Sequence, residues 1–163
     1  MQQTVKAANM YRIETAQRAV TLSMIGGEEL RGSIFIHSSS HRPFELEDVS
    51  ELFNSAEEFF PLELETREVI LVSKARVAEV TGAGGDAAGD QQIPEHRAPT
   101  ALLQVVLIGG DVRVGAICLE APPDRARVLD YLNRLNARFL TLYTSTEARL
   151  INRSLIDRVR PLD

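Results

Sequence analysis

Apolar and polar positions alternate along this chain in short runs. Val20, Leu22 and Met24 alternate with Thr21 and Ser23, the period-two pattern of a half-buried strand. Leu30, Gly32, Ile34 and Ile36 share one face of a second strand, and Phe60, Leu62 and Leu64 one face of a third. Val69 to Val72 is a continuous apolar run rich in β-branched residues, which predicts a fourth strand. A polar break at Ser73-Lys74-Ala75 precedes a short fifth strand carrying Val77 and Val80. Between the second and third strands the period changes. Leu46, Val49, Leu52 and Phe53 fall at helical spacing, with acidic residues near the helix start, where the dipole favours them.

The same order is predicted a second time. Met-Ile-Gly-Gly from Met24 and Leu-Ile-Gly-Gly from Leu107 align at a shift of 83, which lays Gly32 on Gly115 and Ile34 on Ile117. From the helix onward the shift is 79 or 80, so the first copy carries a few extra residues in its middle. Leu52-Phe53-Asn54 then falls on Tyr131-Leu132-Asn133, and Phe59-Phe60-Pro61-Leu62 on Phe139-Leu140-Thr141-Leu142. Val72-Ser73-Lys74 falls on Ile151-Asn152-Arg153. Pro122-Pro123-Asp124 is a helix start, followed by Val128, Leu129 and Leu132 on one face. Repeats at a fixed period decide the architecture before any single element does. The chain divides into an N-terminal lead-in (1–18, with a short helix or strand around Met10 to Ala19), a first repeat (19–81), a Gly- and Pro-rich flexible linker (82–100) and a second repeat (101–163).

The glycines read as structural. Gly26-Gly27 and Gly109-Gly110 supply hairpin turns, where positive φ is free only for glycine. Gly32 and Gly115 lie inside strands, which marks a bend or a close backbone approach. The linker glycines lack the Gly-Lys-Ser/Thr that a phosphate loop requires.

The glycine hairpin, the Leu30-Arg31-Gly32-Ser33-Ile34 strand and the late Val72-Ser73-Lys74-Ala75-Arg76-Val77-Ala78-Glu79-Val80 element together resemble the Sm-like small β-barrel superfamily. The intervening helix and the Phe59-Phe60-Pro61-Leu62 run are similar to uncharacterised bacterial domains of that type. The resemblance implies a mostly β chain with short helices (α+β): two tandem five-stranded small barrels, each with a helix between strands two and three. RNA-binding members carry a Lys-His pair at the late turn, where this chain has Lys74-Ala75 and Arg153-Ser154. The usual acid after strand two is replaced by His37 and Glu120.

Charge separates the repeats. Arg18 to Thr81 holds 6 Lys/Arg against 12 Asp/Glu, and Ala101 to Asp163 holds 9 against 7, so an acidic unit adjoins a mildly basic one. No apolar run approaches the roughly 18 residues of a membrane span. The single cysteine, Cys118, excludes an internal disulfide and reads as a small buried hydrophobe. These features predict a cytoplasmic protein. Candidate chemistry is sparse. His37 and His41, with Glu45 and Glu47, read as a polar loop without a metal site, and Ser38-Ser39-Ser40 has no oriented base. Arg149 and Arg153 match the R-x-x-x-R half of the cyclic-di-GMP-binding signature, but its D-x-S-x-x-G strand is missing.

No cofactor and no catalytic residue is therefore expected. The preferred reading is a non-catalytic protein-interaction or assembly module, open to self-association through barrel edge strands. The alternative is an RNA- or nucleotide-binding pair that uses the arginines of the second repeat. The candidate partner or ligand surface comprises Arg125, Arg127, Arg134, Arg138, Arg149 and Arg153, with Phe53 and Phe59 as apolar docking residues.

Overall fold

The computed structural model describes residues 15–37, 46–82, 100–119 and 128–162. The first half runs β1 (Thr15–Met24), β2 (Glu29–His37), α1 (Leu46–Asn54), β3 (Phe59–Leu64), β4 (Val69–Ser73), a 3₁₀ turn (Lys74–Arg76) and β5 (Val77–Gly82). The second half repeats that order: β6 (Thr100–Leu107), β7 (Val112–Cys118), α2 (Val128–Arg134), β8 (Phe139–Tyr143), β9 (Ala148–Asn152), a 3₁₀ turn (Arg153–Leu155) and β10 (Ile156–Leu162). The fold is mostly β with two short helices, each between the second and third strands of its half. β1 takes in Ala16 to Arg18, ahead of the alternation that begins at Val20. The linker between Gly82 and Thr100, the histidine loop and the Pro122-Pro123 helix start lie outside the described residues, as do Arg125 and Arg127.

The strands form one antiparallel sheet of ten, in the order β10-β6-β7-β8-β9-β5-β1-β2-β3-β4. Neither half closes on itself by pairing its last strand with its fourth. Instead β5 gives its outer edge to β9, with Glu79 opposite Ile151 and Val80 opposite Leu150. The hydrogen bonding draws a continuous ladder with a junction at its middle, in which the halves are joined and not closed off as separate barrels by strand pairing. Within each half the pairing is equivalent. Leu22 faces Val80 across β1 and β5, and Val105 faces Val159 across β6 and β10. The Ile25 amide donates to the Arg76 carbonyl, and the Ile108 amide to the Leu155 carbonyl, both at 2.8 Å.

The glycines do what their positions require. Gly26, Gly27, Gly109 and Gly110 hold φ of 103°, 100°, 101° and 99° in the two hairpins. A Cβ on Gly115 would lie 2.6 Å from the Tyr143 carbonyl oxygen, and one on Gly32 would collide with that of Glu63. Neither strand could cross its neighbour so closely with a side chain there.

Alternating inward residues build two apolar clusters. The first holds Val20, Leu22, Ile34, Phe60, Leu62 and Val80, capped by Val49 and Phe53 of α1. It also takes in Phe139 and Leu150 from the second half. The second cluster centres on Leu103, Val105, Ile117, Leu140, Leu142 and Ile151. Phe53 is fully buried, so it is not on a surface open to an outside partner. Its ring lies edge-on to Phe60 of its own half at 4.9 Å and to Phe139 of the second half at 5.4 Å, so it packs in the first core where the two repeats meet. Cys118 is half-buried, on the last residue of β7, and burial pushes its thiol pKa up. No described helix is long and apolar enough to cross a membrane.

Candidate functional site

The junction of the two halves gathers most of the ordered polar chemistry. Glu79, on β5, is buried. Its neighbours across the junction are Arg113 of β7 and Arg149 of β9. The Arg113 Nε donates to Glu79 Oε1 and Oε2 at 3.0 and 3.2 Å, and its Nη2 donates to Oε2 at 3.1 Å. The Arg149 Nη1 reaches Oε1 at 3.0 Å, while its Nη2 pairs with Glu147 at 2.8 Å. One buried carboxylate thus accepts from two half-buried guanidinium groups, the fork geometry in which charge-assisted bonds are strongest. The bond from Glu79 holds the Arg113 pKa above its usual value.

Three further contacts stitch the seam. The Asn152 side chain donates 2.9 Å to the Val77 carbonyl, and its Oδ1 accepts from Ser154 in the 3₁₀ turn. Asn54, at the end of α1, accepts from the Phe139 amide at 2.8 Å. Arg138 pairs with Glu58 at 2.9 Å. That bond holds the exposed Glu58 carboxyl below its usual range. Behind them Lys74 is buried, its Nζ donating to Ser55 Oγ at 2.7 Å and to the Ser55 carbonyl at 3.2 Å. Burial pushes its pKa down, and the nearby Arg138 charge pushes the same way.

Beside the seam lies a cleft of about 490 Å³ lined by Ala75, Asn136, Arg138, Asn152, Arg153 and Ser154. Arg138 Nη1 is buried with no hydrogen-bond partner among the described residues. The sequence-predicted arginines therefore separate. Arg138 and Arg153 meet at the cleft. Arg149 is held in the Glu79 cluster rather than displayed. Arg134 ends α2 and is exposed. Phe59 is exposed as the first residue of β3, directly after Glu58, the partner of Arg138.

Reading the sequence missed Glu79, Arg113, Asn54 and Asn152. They lie 34 to 85 residues from the partners they meet, and only the β5–β9 pairing brings them together. One signal was present. The repeat lays Glu58 on Arg138 and Glu79 on Arg158, opposite charges at equivalent places. Among the described residues no three His, Cys, Asp or Glu side chains form a group able to hold a metal ion. No protein-family model, curated protein or solved structure matches the chain.

Proposed function

We propose that this chain is a non-catalytic protein-interaction and assembly module that works by joining small β units edge to edge. Its two repeats correspond to the tandem units expected from the Sm-like resemblance. The observation that carries the reading is the β5–β9 junction, in which the edge strand of one unit completes the sheet of another. The polar groups gathered there are engaged: Glu79 with two arginines and Asn152 with the Val77 carbonyl across the junction, and Lys74 with Ser55 within the first half beside it. Sheet edges are templates for strand addition, and the outer edges of β4 and β10 stand at the two ends of the ladder. The test is co-purification from native cells with wild-type chain and with Leu71→Lys, an exposed β4 substitution. A partner retained equally by both excludes edge docking at β4.

A second reading is favoured by one observation, the unpartnered Nη1 of Arg138 at a cleft that also presents Arg153, Asn152 and Ser154. Such a set suits an anionic ligand such as an RNA or nucleotide phosphate. Fluorescence anisotropy with short RNA then shows affinity falling as salt rises, and weakening several-fold in Arg153→Ala. Binding that ignores both removes this reading.

A further inference from the structure

We infer that a second copy of this chain docks its β10 edge on the β4 edge of the first, repeating between chains the junction that joins β5 to β9 within one. This rests on the assembly reading above and names the partner. The argument is a comparison of equivalent positions in the two halves. Phe139 and Leu150 pack across the existing junction into the first half's core and are each 1% exposed, and Ala148, on the same strand as Leu150, is 2% exposed. Their equivalents at the outer end of the first half are Phe59, Val69 and Leu71, which are 59%, 51% and 72% exposed. The same three places carry apolar side chains in both halves, and only one set has a partner.

The receiving surface shows the complementary difference. At the existing junction it is built by Phe53, Val77 and Val80, all buried. Their equivalents at the far end of the ladder are Leu132, Ile156 and Val159, all only partly buried against the second core. Projections thus stand at one end of the chain and an uncovered socket at the other. Complementary but different ends make a head-to-tail contact, not a self-matching one.

Polar groups fit the same docking. Glu58 and Arg138 occupy equivalent positions and pair within the chain. In the new contact they meet again with roles exchanged, Arg138 of one chain beside Glu58 of the next. Asn133, exposed at the end of α2, stands where Asn54 accepts the Phe139 amide, ready to accept that of Phe59. The register follows as Arg158 opposite Val72 and Val159 opposite Leu71. Pro161, which lacks a donor, falls beyond that short pairing, as Gly82 lies beyond the β5–β9 ladder.

One element is not repeated. The Glu79 place is taken by Arg158, and the Arg113 and Arg149 places by Leu30 and Ile70. The contact between chains therefore has no buried carboxylate clasped by two guanidinium groups. It opens before the one within a chain, so the assembly dissociates into intact two-unit chains.

Light scattering coupled to size exclusion tests this on the full chain. Wild type is expected at whole-number multiples of 18.1 kDa as concentration rises. Leu71→Lys and Phe59→Arg, both changing exposed residues, are expected to stay monomeric with unchanged thermal unfolding. Leu132→Lys, in the socket, is expected to be monomeric too. An equimolar mixture of Leu71→Lys and Leu132→Lys chains leaves one intact end on each and is expected to give a one-to-one dimer. A wild-type chain that stays monomeric at its solubility limit overturns the inference. So does a Leu71→Lys chain that assembles like wild type, or a mixture that stays monomeric. If the wild-type chain is monomeric while another protein binds it in a Leu71-dependent manner, self-docking fails and the assembly reading stands.

Discussion

Three polar side chains are buried among the described residues, Lys74, Glu79 and Asn152, and all three lie at the junction. Their energetics differ in sign. Glu79 is ionically matched, and removing its charge leaves two guanidinium groups facing each other. Glu79→Gln is expected to cost about 3 kcal/mol, the low end for breaking a buried pair because both arginines are half-exposed to water. Urea unfolding reads the loss, and an unchanged midpoint would show the cluster to be surface-like. Among the described residues the Lys74 ammonium donates only to Ser55, and its pKa is lowered by burial. A lysine depressed in the folded state releases its proton there before it does in the unfolded chain. Wild-type stability therefore rises with pH from the lowered folded value up to the ordinary one near 10.5. In Lys74→Met that rise is expected to vanish, with stability at neutral pH equal to wild type or higher. Paired unfolding curves at neutral and alkaline pH check it. Single residues were legible in the sequence where the constraint is local. Gly26 and Gly27 announce a turn by themselves, whereas Glu79 gives no sign of burial until a strand 70 residues away supplies Arg149.

At the scale of elements, identical patterns had different fates. β3 and β8 are both alternating strands led by a phenylalanine, yet Phe139 is core and Phe59 is surface. Periodicity reports which face of a strand is apolar but is silent on which unit's core that face enters. For the same reason the repeat pattern reads Phe53 first as core, with docking between the repeats as the alternative, and α1 lays it between Phe60 and Phe139, where it does both. The order of elements, the turns and the helix insertions were all legible, because each depends on spacing within a few residues. The continuous ladder was not, because it depends on which edge β5 chooses. The contrast between the two phenylalanines gives a prediction. Phe139→Ala is expected to lose about 3–5 kcal/mol of stability, as for a buried aromatic. Phe59→Ala, measured in dilute solution where chains are separate, is expected to stay within about 0.5 kcal/mol of wild type. Equal losses would mean that the two positions share one environment.

For the whole molecule, charge asymmetry and the polarity of the ladder point the same way. The first repeat holds 6 Lys/Arg against 12 Asp/Glu and the second 9 against 7. β4, from the acidic repeat, stands at one end of the sheet, and β10, from the basic repeat, at the other. Chains approaching end to end in that sense attract, and chains meeting like end to like end gain nothing from charge. Such fields act mainly on the encounter, so their signature is kinetic. Screening shortens the range from about 30 Å at 0.01 M salt to roughly 8 Å at 0.15 M. The association rate constant of wild-type chains is therefore expected to fall severalfold over that interval. The dissociation rate, set by Phe59, Val69 and Leu71 leaving their socket, is expected to change far less. Stopped-flow mixing of fluorescently labelled chains separates the two rates. A salt effect confined to dissociation would place the electrostatic contribution in the formed contact and remove the steering role assigned to the acidic and basic repeats.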